Sequence, residues 1–197
     1  MTDIPDVDVY QLHREPKGTT ISDTFDVDIE VPVEFPRQVP NVRETGCRIP
    51  KDFHTHPDGT LCLGAPTRLL LLIQKAQTLP GFIDSCVVPY FYGFSHREQH
   101  GALPFGELDH GLPGIFNDLM QLFDVRSIDA VIPMLRLASI PKREANKQKC
   151  PCGSGRLTRK CHNIVLNHLR SSLGRSHFRQ QLRLLEDVIK WSRQNCS

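Results

Sequence analysis

The stretch Asp23-Thr-Phe-Asp-Val-Asp-Ile-Glu-Val-Pro-Val-Glu-Phe-Pro-Arg-Gln-Val-Pro-Asn-Val-Arg43 carries the strongest fold signal in the chain. From Phe25 to Val33 every odd position is apolar (Phe25, Val27, Ile29, Val31, Val33), while Asp26, Asp28 and Glu30 take the other side. A period of two is that of a strand with one buried and one wet face. Pro32 has no N–H to give to a ladder, so the end of this strand lies at an edge or leaves the sheet. Phe35-Pro36 through Pro40 reads as a stiff connection, and Asn41 to Thr45 as a second short strand. Asp8 to His13 is a weaker candidate for an earlier one.

Helical patterns follow. A helix starts at Pro66 or Thr67 and is expected to end at Leu79-Pro-Gly81. An apolar stretch from Phe82 to Phe94 carries Cys86 as a core residue. Ile115–Asp124 and Val125–Leu137 read as further helices, as do Ile164–Leu173 and Phe178–Trp191, the last with Leu182, Leu185 and Ile189 at helical spacing. The fold class is therefore α+β, a short antiparallel β-meander flanked by helices.

Between the strands and the first helix stands His56-Pro-Asp-Gly-Thr-Leu-Cys62-Leu63, with His54 just upstream. A cysteine just past a glycine turn can stay accessible while its apolar neighbours are buried, which is what a thiol needs in order to accept and hand on an acyl group. The plain alternative is a packed, inert cysteine.

In order, Val31-Pro-Val-Glu-Phe-Pro36, Pro40-Asn-Val42, His56-Pro-Asp58 and Gly59-Thr-Leu-Cys-Leu63 resemble the ubiquitin-conjugating enzyme family, over roughly residues 22 to 80. The resemblance implies that Cys62 carries a ubiquitin-like protein, or another protein's C-terminus such as a nucleotidyltransferase's, as a thioester. It also implies an adenylating activating enzyme upstream. Asp58 stands where the family has an Asn that helps hold the oxyanion. An ionised carboxylate cannot donate a hydrogen bond. His54 has the family's eight-residue separation from the cysteine and can donate, so it is expected in the Asn role. His56 and Asp58 stand with Cys62 and His54 as the candidate catalytic residues, and bonding to backbone groups of the loop is the plainer role for His56. The family's N-terminal helix has no counterpart here. These traits resemble divergent bacterial relatives found in antiphage conjugation systems.

Phe53-His-Thr-His-Pro57 also looks like the opening of a zinc isopeptidase motif. In that motif two imidazoles and an Asp hold the metal. Ala65 and Arg68 occupy the Ser and Asp positions, and a cationic Arg cannot ligate zinc, so the chain lacks a complete site of that kind.

A second motif is Cys150-Pro-Cys152-Gly-Ser-Gly-Arg-Leu-Thr-Arg-Lys-Cys161-His162. Three thiolates and an imidazole (Cys150, Cys152, Cys161, His162) fill a tetrahedron, as a closed structural Zn2+ site requires. The run closely resembles the SEC-C zinc module, whose family role is protein or ribosome contact.

Charge is divided. Residues 1–140 carry 11 Lys or Arg against 19 Asp or Glu, a net of −8, and residues 141–197 carry 13 against 3, a net of +10. The chain therefore reads as a conjugating-type domain (1–140) and a zinc-bearing helical tail (141–197), with Asn146 to Lys149 as linker. The basic tail can meet an acidic protein or a nucleic acid, or be a solvated helical face. The segment Ser95–Gly114 can border Cys62, with His100, Glu107, Asp109 or His110 as an acid–base group. No apolar run is long enough for a membrane span. The start of the chain is acidic and has no apolar signal core. Seven cysteines, three of them beside a His, point to metal and a reactive thiol in a reducing, cytoplasmic setting. A non-enzymatic adaptor that keeps the fold and recruits a partner through its tail is the alternative reading.

Overall fold

The computed structural model describes residues 20–104 and 111–195 of the 197-residue chain. Asp8 to His13, Glu107, Asp109 and His110 lie outside the described residues. The chain divides into two compact units, Met1–Leu108 and Asp109–Ser197. The division drawn at residue 140 from the sequence leaves on its N-terminal side two helices that belong to the second unit.

The first unit is α+β. Strands β1 (Val27–Glu30) and β2 (Asn41–Glu44) pair antiparallel, Val27 opposite Glu44 and Ile29 opposite Val42. They are the one sheet among the described residues. The alternation reads only half correctly. Phe25 and Ile29 pack on the core, but Val27, Val31 and Val33 are exposed, Val33 almost completely at 98 %. The cause is local. β1 stops at Glu30, and the chain turns away with Phe35 N–H donating to the Pro32 carbonyl, so no second layer covers the later valines. Phe25 is held because its ring stacks on Phe91 at 4.3 Å.

Helix α1 (Pro66–Ala76) starts with proline at its first turn, where the missing N–H costs nothing, and closes at Gln77 in the left-handed region. Leu79-Pro-Gly81 does not merely end α1. It starts the next helix, α2 (Leu79–Phe82), because the Thr78 hydroxyl caps the Gly81 N–H and Pro80 fits the first turn. A π-turn (Ile83–Val87) passes α2 into α3 (Val88–His100). The core gathers Val42, Phe53, Leu61, Ile73, Phe82 and Phe94, with Cys86 also buried. At its edge Arg48 lies over the Phe25 ring at 4.6 Å and pairs with Asp23 at 2.6 Å and Glu98 at 2.5 Å. The Ser95 hydroxyl donates to the same Asp23. These bonds hold the Asp23 carboxyl far below the usual carboxylate range.

The second unit is helical. Helix α4 (Gly111–Phe123) begins four residues earlier than its periodicity indicates. Val125 is not helical. Instead the Ser127 hydroxyl accepts from the Asp129 N–H and starts a 3-10 turn (Ile128–Ala130) leading into α5 (Val131–Ser139). A short α6 (Lys142–Ala145) and a loop follow, then α7 (Asn163–Asn195). Gly174 (φ 74°, ψ 160°) breaks α7 into two stretches, which matches the two helices read from the sequence. The first turns of α7 bury Leu166 and Leu169, and beyond the break Phe178 and Leu185 are buried. α5 packs along α7, and the Phe123 ring of α4 faces Phe178 at 6.4 Å. No helix among the described residues is long and apolar enough to cross a membrane.

The α1–α2 corner depends on a missing side chain. A Cβ at Gly81 would stand 2.6 Å from Ala76 Cβ and 3.1 Å from Thr78 Oγ1, so something must shift. Gly81→Ala should destabilise the first unit by about 1–3 kcal/mol, the usual range for overpacking. Urea unfolding would check it, and an unchanged midpoint would contradict the packing described.

Candidate functional site

Phe53 fixes the segment that carries the two histidines and the cysteine. Its ring is 2 % exposed and meets Tyr90 at 5.5 Å and Phe94 at 5.1 Å, with the Arg97 guanidinium 4.9 Å from its centre. Its carbonyl accepts from the Tyr90 hydroxyl at 3.0 Å and the Thr55 hydroxyl at 2.8 Å. From there the chain makes a narrow hairpin. Thr55 and Leu61 form an antiparallel bridge, His56 N–H donates to the Thr60 carbonyl, and Cys62 N–H donates to the His54 carbonyl at 2.7 Å. His54 and Cys62 therefore stand directly across from each other, which gives the eight-residue spacing a structural meaning.

The tip is built by Asp58 and Gly59. Asp58 Oδ1 accepts from both the N–H (3.0 Å) and the hydroxyl (2.7 Å) of Thr60, and the hydroxyl bond is the chief cause that lowers the Asp58 carboxyl pKa. An ionised acceptor committed to Thr60 shapes the loop and cannot act as a donor. Gly59 sits at φ 83°, which only glycine adopts cheaply. His54 is at φ 40°, a region that His enters more readily than most side chains. His56 and Asp58 are exposed, whereas His54 and Cys62 are half-buried.

Tyr90 is the residue that the sequence reading passed over. Burial, with the nearby Cys62 and Glu44 charges adding to it, pushes its hydroxyl up to about 12 despite a hydrogen bond with Thr55. It therefore stays protonated and keeps donating to Phe53. A tyrosine in the apolar stretch Phe82–Phe94 has no sequence signal that separates it from the core around it. His100 sits exposed at the C-terminal end of α3, its ring 4.5 Å from that of His96, whose Nδ1 bonds the Ala102 carbonyl.

The second constellation lies in the second unit. Lys149 and Leu157 bridge, and Cys150 N–H donates to the Arg156 carbonyl, so residues 149–157 form a knuckle whose Gly153 and Gly155 are both at positive φ. A 3-10 turn (Thr158–Lys160) then delivers Cys161 and His162 to the same point. The donor atoms of Cys150, Cys152, Cys161 and His162 all lie within 4.8 Å of one another and can hold a metal ion. His162 Nδ1 is 3.1 Å from Cys150 Sγ and 3.2 Å from Cys161 Sγ, and the Cys152 and Cys161 sulfurs are 3.5 Å apart. A tetrahedral Zn2+ would set such donors about 3.5–3.8 Å apart, so a small outward movement accommodates it. His162 Nε2 lies 2.9 Å from the Asp124 carbonyl, at the end of α4. A carbonyl only accepts, so Nε2 carries the proton and Nδ1 presents its lone pair to the sulfurs, as a ligating imidazole must. Burial pushes the Cys150 thiol up to about 11. Burial also opposes ionisation of Cys152, but the Ser154 hydroxyl and backbone and the neighbouring sulfurs outweigh it and bring that thiol down to about 6.

Comparison with family models, with curated proteins and with solved structures finds no match to this chain.

Tyr90→Phe removes one donor from the Phe53 carbonyl and should destabilise the first unit by about 1 kcal/mol. It should also raise the rate at which a thiol-specific reagent labels Cys62, because the hairpin opens more often. A variant with native stability and native labelling would show that Tyr90 does not hold the hairpin.

Proposed function

We propose that the first unit is an acyl-carrying domain of ubiquitin-conjugating type and that Cys62 is its thiol. One observation carries this reading. The Thr55–Leu61 bridge presents Cys62 half-buried beside buried Leu61, directly opposite His54. In the proposed reaction the Cys62 sulfur attacks the activated C-terminal carbonyl of a ubiquitin-like donor, releasing AMP from the adenylate and forming a thioester. An acceptor amine then attacks that carbonyl, and the thiol leaves. His54, across the hairpin, is the proposed oxyanion donor, since Asp58 is an ionised acceptor bonded to Thr60. The bacterial antiphage setting rests on the sequence resemblance alone.

The second unit is proposed to hold one structural Zn2+ on Cys150, Cys152, Cys161 and His162. Support comes from the four clustered donors and from the His162 tautomer that the Asp124 carbonyl enforces. When bound, the metal would cross-link the knuckle to the start of α7. Three sulfurs and one nitrogen close the tetrahedron and leave no position for substrate. This is the arrangement of the SEC-C module that the sequence resembles.

Two tests follow. Incubated with an adenylating enzyme and its ubiquitin-like donor, the wild type should give a reducible conjugate on a non-reducing gel. Cys62→Ser should give a thiol-resistant oxyester or none, and His54→Ala should slow transfer on the order of 10²–10³-fold without loss of the fold. Normal charging of Cys62→Ala would end the assignment, and full-rate transfer by His54→Ala would remove His54 from it. For the metal, elemental analysis should find one zinc per chain in protein purified without chelator. Acid should release it as protons compete for the thiolates, and helical signal should fall with it. Metal-free protein with unchanged helicity would contradict the structural role.

A further inference from the structure

At the break in α7 an open groove of about 590 Å3 runs between the start of α6 and the two halves of α7. Lys142, Arg170 and Arg175 line it, with Asn167, Ser171 and Gly174 between them. Among the described residues no carboxylate pairs with any of the three cations. Two of the three acidic side chains of residues 141–197 are engaged elsewhere: Glu186 with Arg136, and Asp187 with Lys190. The third, Glu144, lies in α6 itself and forms no ion pair with Lys142, Arg170 or Arg175 among the described residues.

Its cations are of two kinds. Arg170 is fixed: its guanidinium donates to the Leu137 and Ala138 carbonyls at the end of α5 and to Asn167 Oδ1. Burial, with the charge of Arg175 beside it, weakens its hold on its proton. The side chains of Lys142 and Arg175 are exposed and form no ion pair among the described residues. A half-buried, anchored guanidinium next to two exposed cations is a local repulsion that a bound anion would relieve. The left-handed Gly174 sets this arrangement, because it turns Arg175 away from the helical path of residues 163–173.

We infer that this groove is a binding site for the phosphodiester backbone of a nucleic-acid duplex. Three features select that partner. Guanidinium forks match phosphate oxygens in pairs. The groove is shallow and open to solvent, so a continuous backbone can lie across it. Its lining has no aromatic side chain on which an unpaired base could stack, so it would meet phosphates and not bases. The +10 balance of residues 141–197 supplies the surrounding field. None of its lining residues belongs to the Cys62 hairpin or to the metal ligands.

The test is fluorescence anisotropy of a short mixed-sequence DNA duplex titrated with the full chain across a range of salt. The paired substitution Lys142→Gln with Arg175→Gln should weaken binding about tenfold and make the log–log salt slope shallower by about 1.8, two phosphate contacts at about 0.9 each. Both side chains are exposed, and an unchanged thermal melt would show that the fold is kept. Arg183→Gln with Lys190→Gln removes the same charge from exposed positions further along α7 and should leave both quantities near wild type. Equal losses from the two pairs would show a diffuse field and overturn the site. Displacement of the duplex by poly-glutamate or by inorganic phosphate, as readily as by unlabelled duplex, would overturn the assignment to nucleic acid.

Discussion

The bond from Tyr90 to the Phe53 carbonyl sets the geometry of the first unit. Phe53 is the last core residue before the hairpin, and burying a side chain of that size contributes about 1.5–3 kcal/mol. Its ring secures the position of the backbone, and the two hydroxyls of Tyr90 and Thr55 secure its carbonyl. Everything downstream inherits that constraint: the left-handed His54, the Thr55–Leu61 bridge and the place of Cys62 across from His54. Leu61, 7 % exposed, is the matching anchor on the return strand. The thiol is thus held between buried Leu61 and partly buried Leu63 and not on a free loop.

The second unit uses a different device. Residues 149–162 are too short and polar to bury a core of their own, and their most deeply buried side chain is Thr158, whose hydroxyl and N–H both donate to the Gln148 carbonyl. Their order comes from that bond, from the donor cluster and from His162 reaching the Asp124 carbonyl. Arg170 then ties the first half of α7 to the end of α5. Polar cross-links of this kind are directional, so they fix how loop and helices meet, while Met134, Leu135, Leu166 and Phe178 supply the apolar burial.

What was legible in the sequence was local chemistry. Pro66 at a helix start, the two-part α7, buried Cys86 and the clustering of Cys150, Cys152, Cys161 and His162 all follow from short-range rules. The class, α+β, followed from one alternating stretch. What was not legible depends on partners distant in sequence. Val27, Val31 and Val33 have the right alternation for a buried face, but burial needs a covering layer, and only Phe25 and Ile29 find one. Leu79-Pro-Gly81 is a helix stop by composition and a helix start by capping, and Thr78 decides between them. Tyr90 and Asp124 are ordinary residues until the fold brings a carbonyl to one and an imidazole to the other.

The central claim is that Cys62 carries an acyl group, and its most direct measurement is made on the protein as it leaves the cell. The chain would be recovered under acidic, non-reducing conditions, digested and mapped by mass spectrometry. The account predicts that the Cys62 peptide bears the C-terminal residues of a second protein through a bond cleaved by neutral hydroxylamine. Adducts found only on other thiols, such as the exposed Cys47, with Cys62 unmodified while the upstream activating enzyme is active, would contradict it.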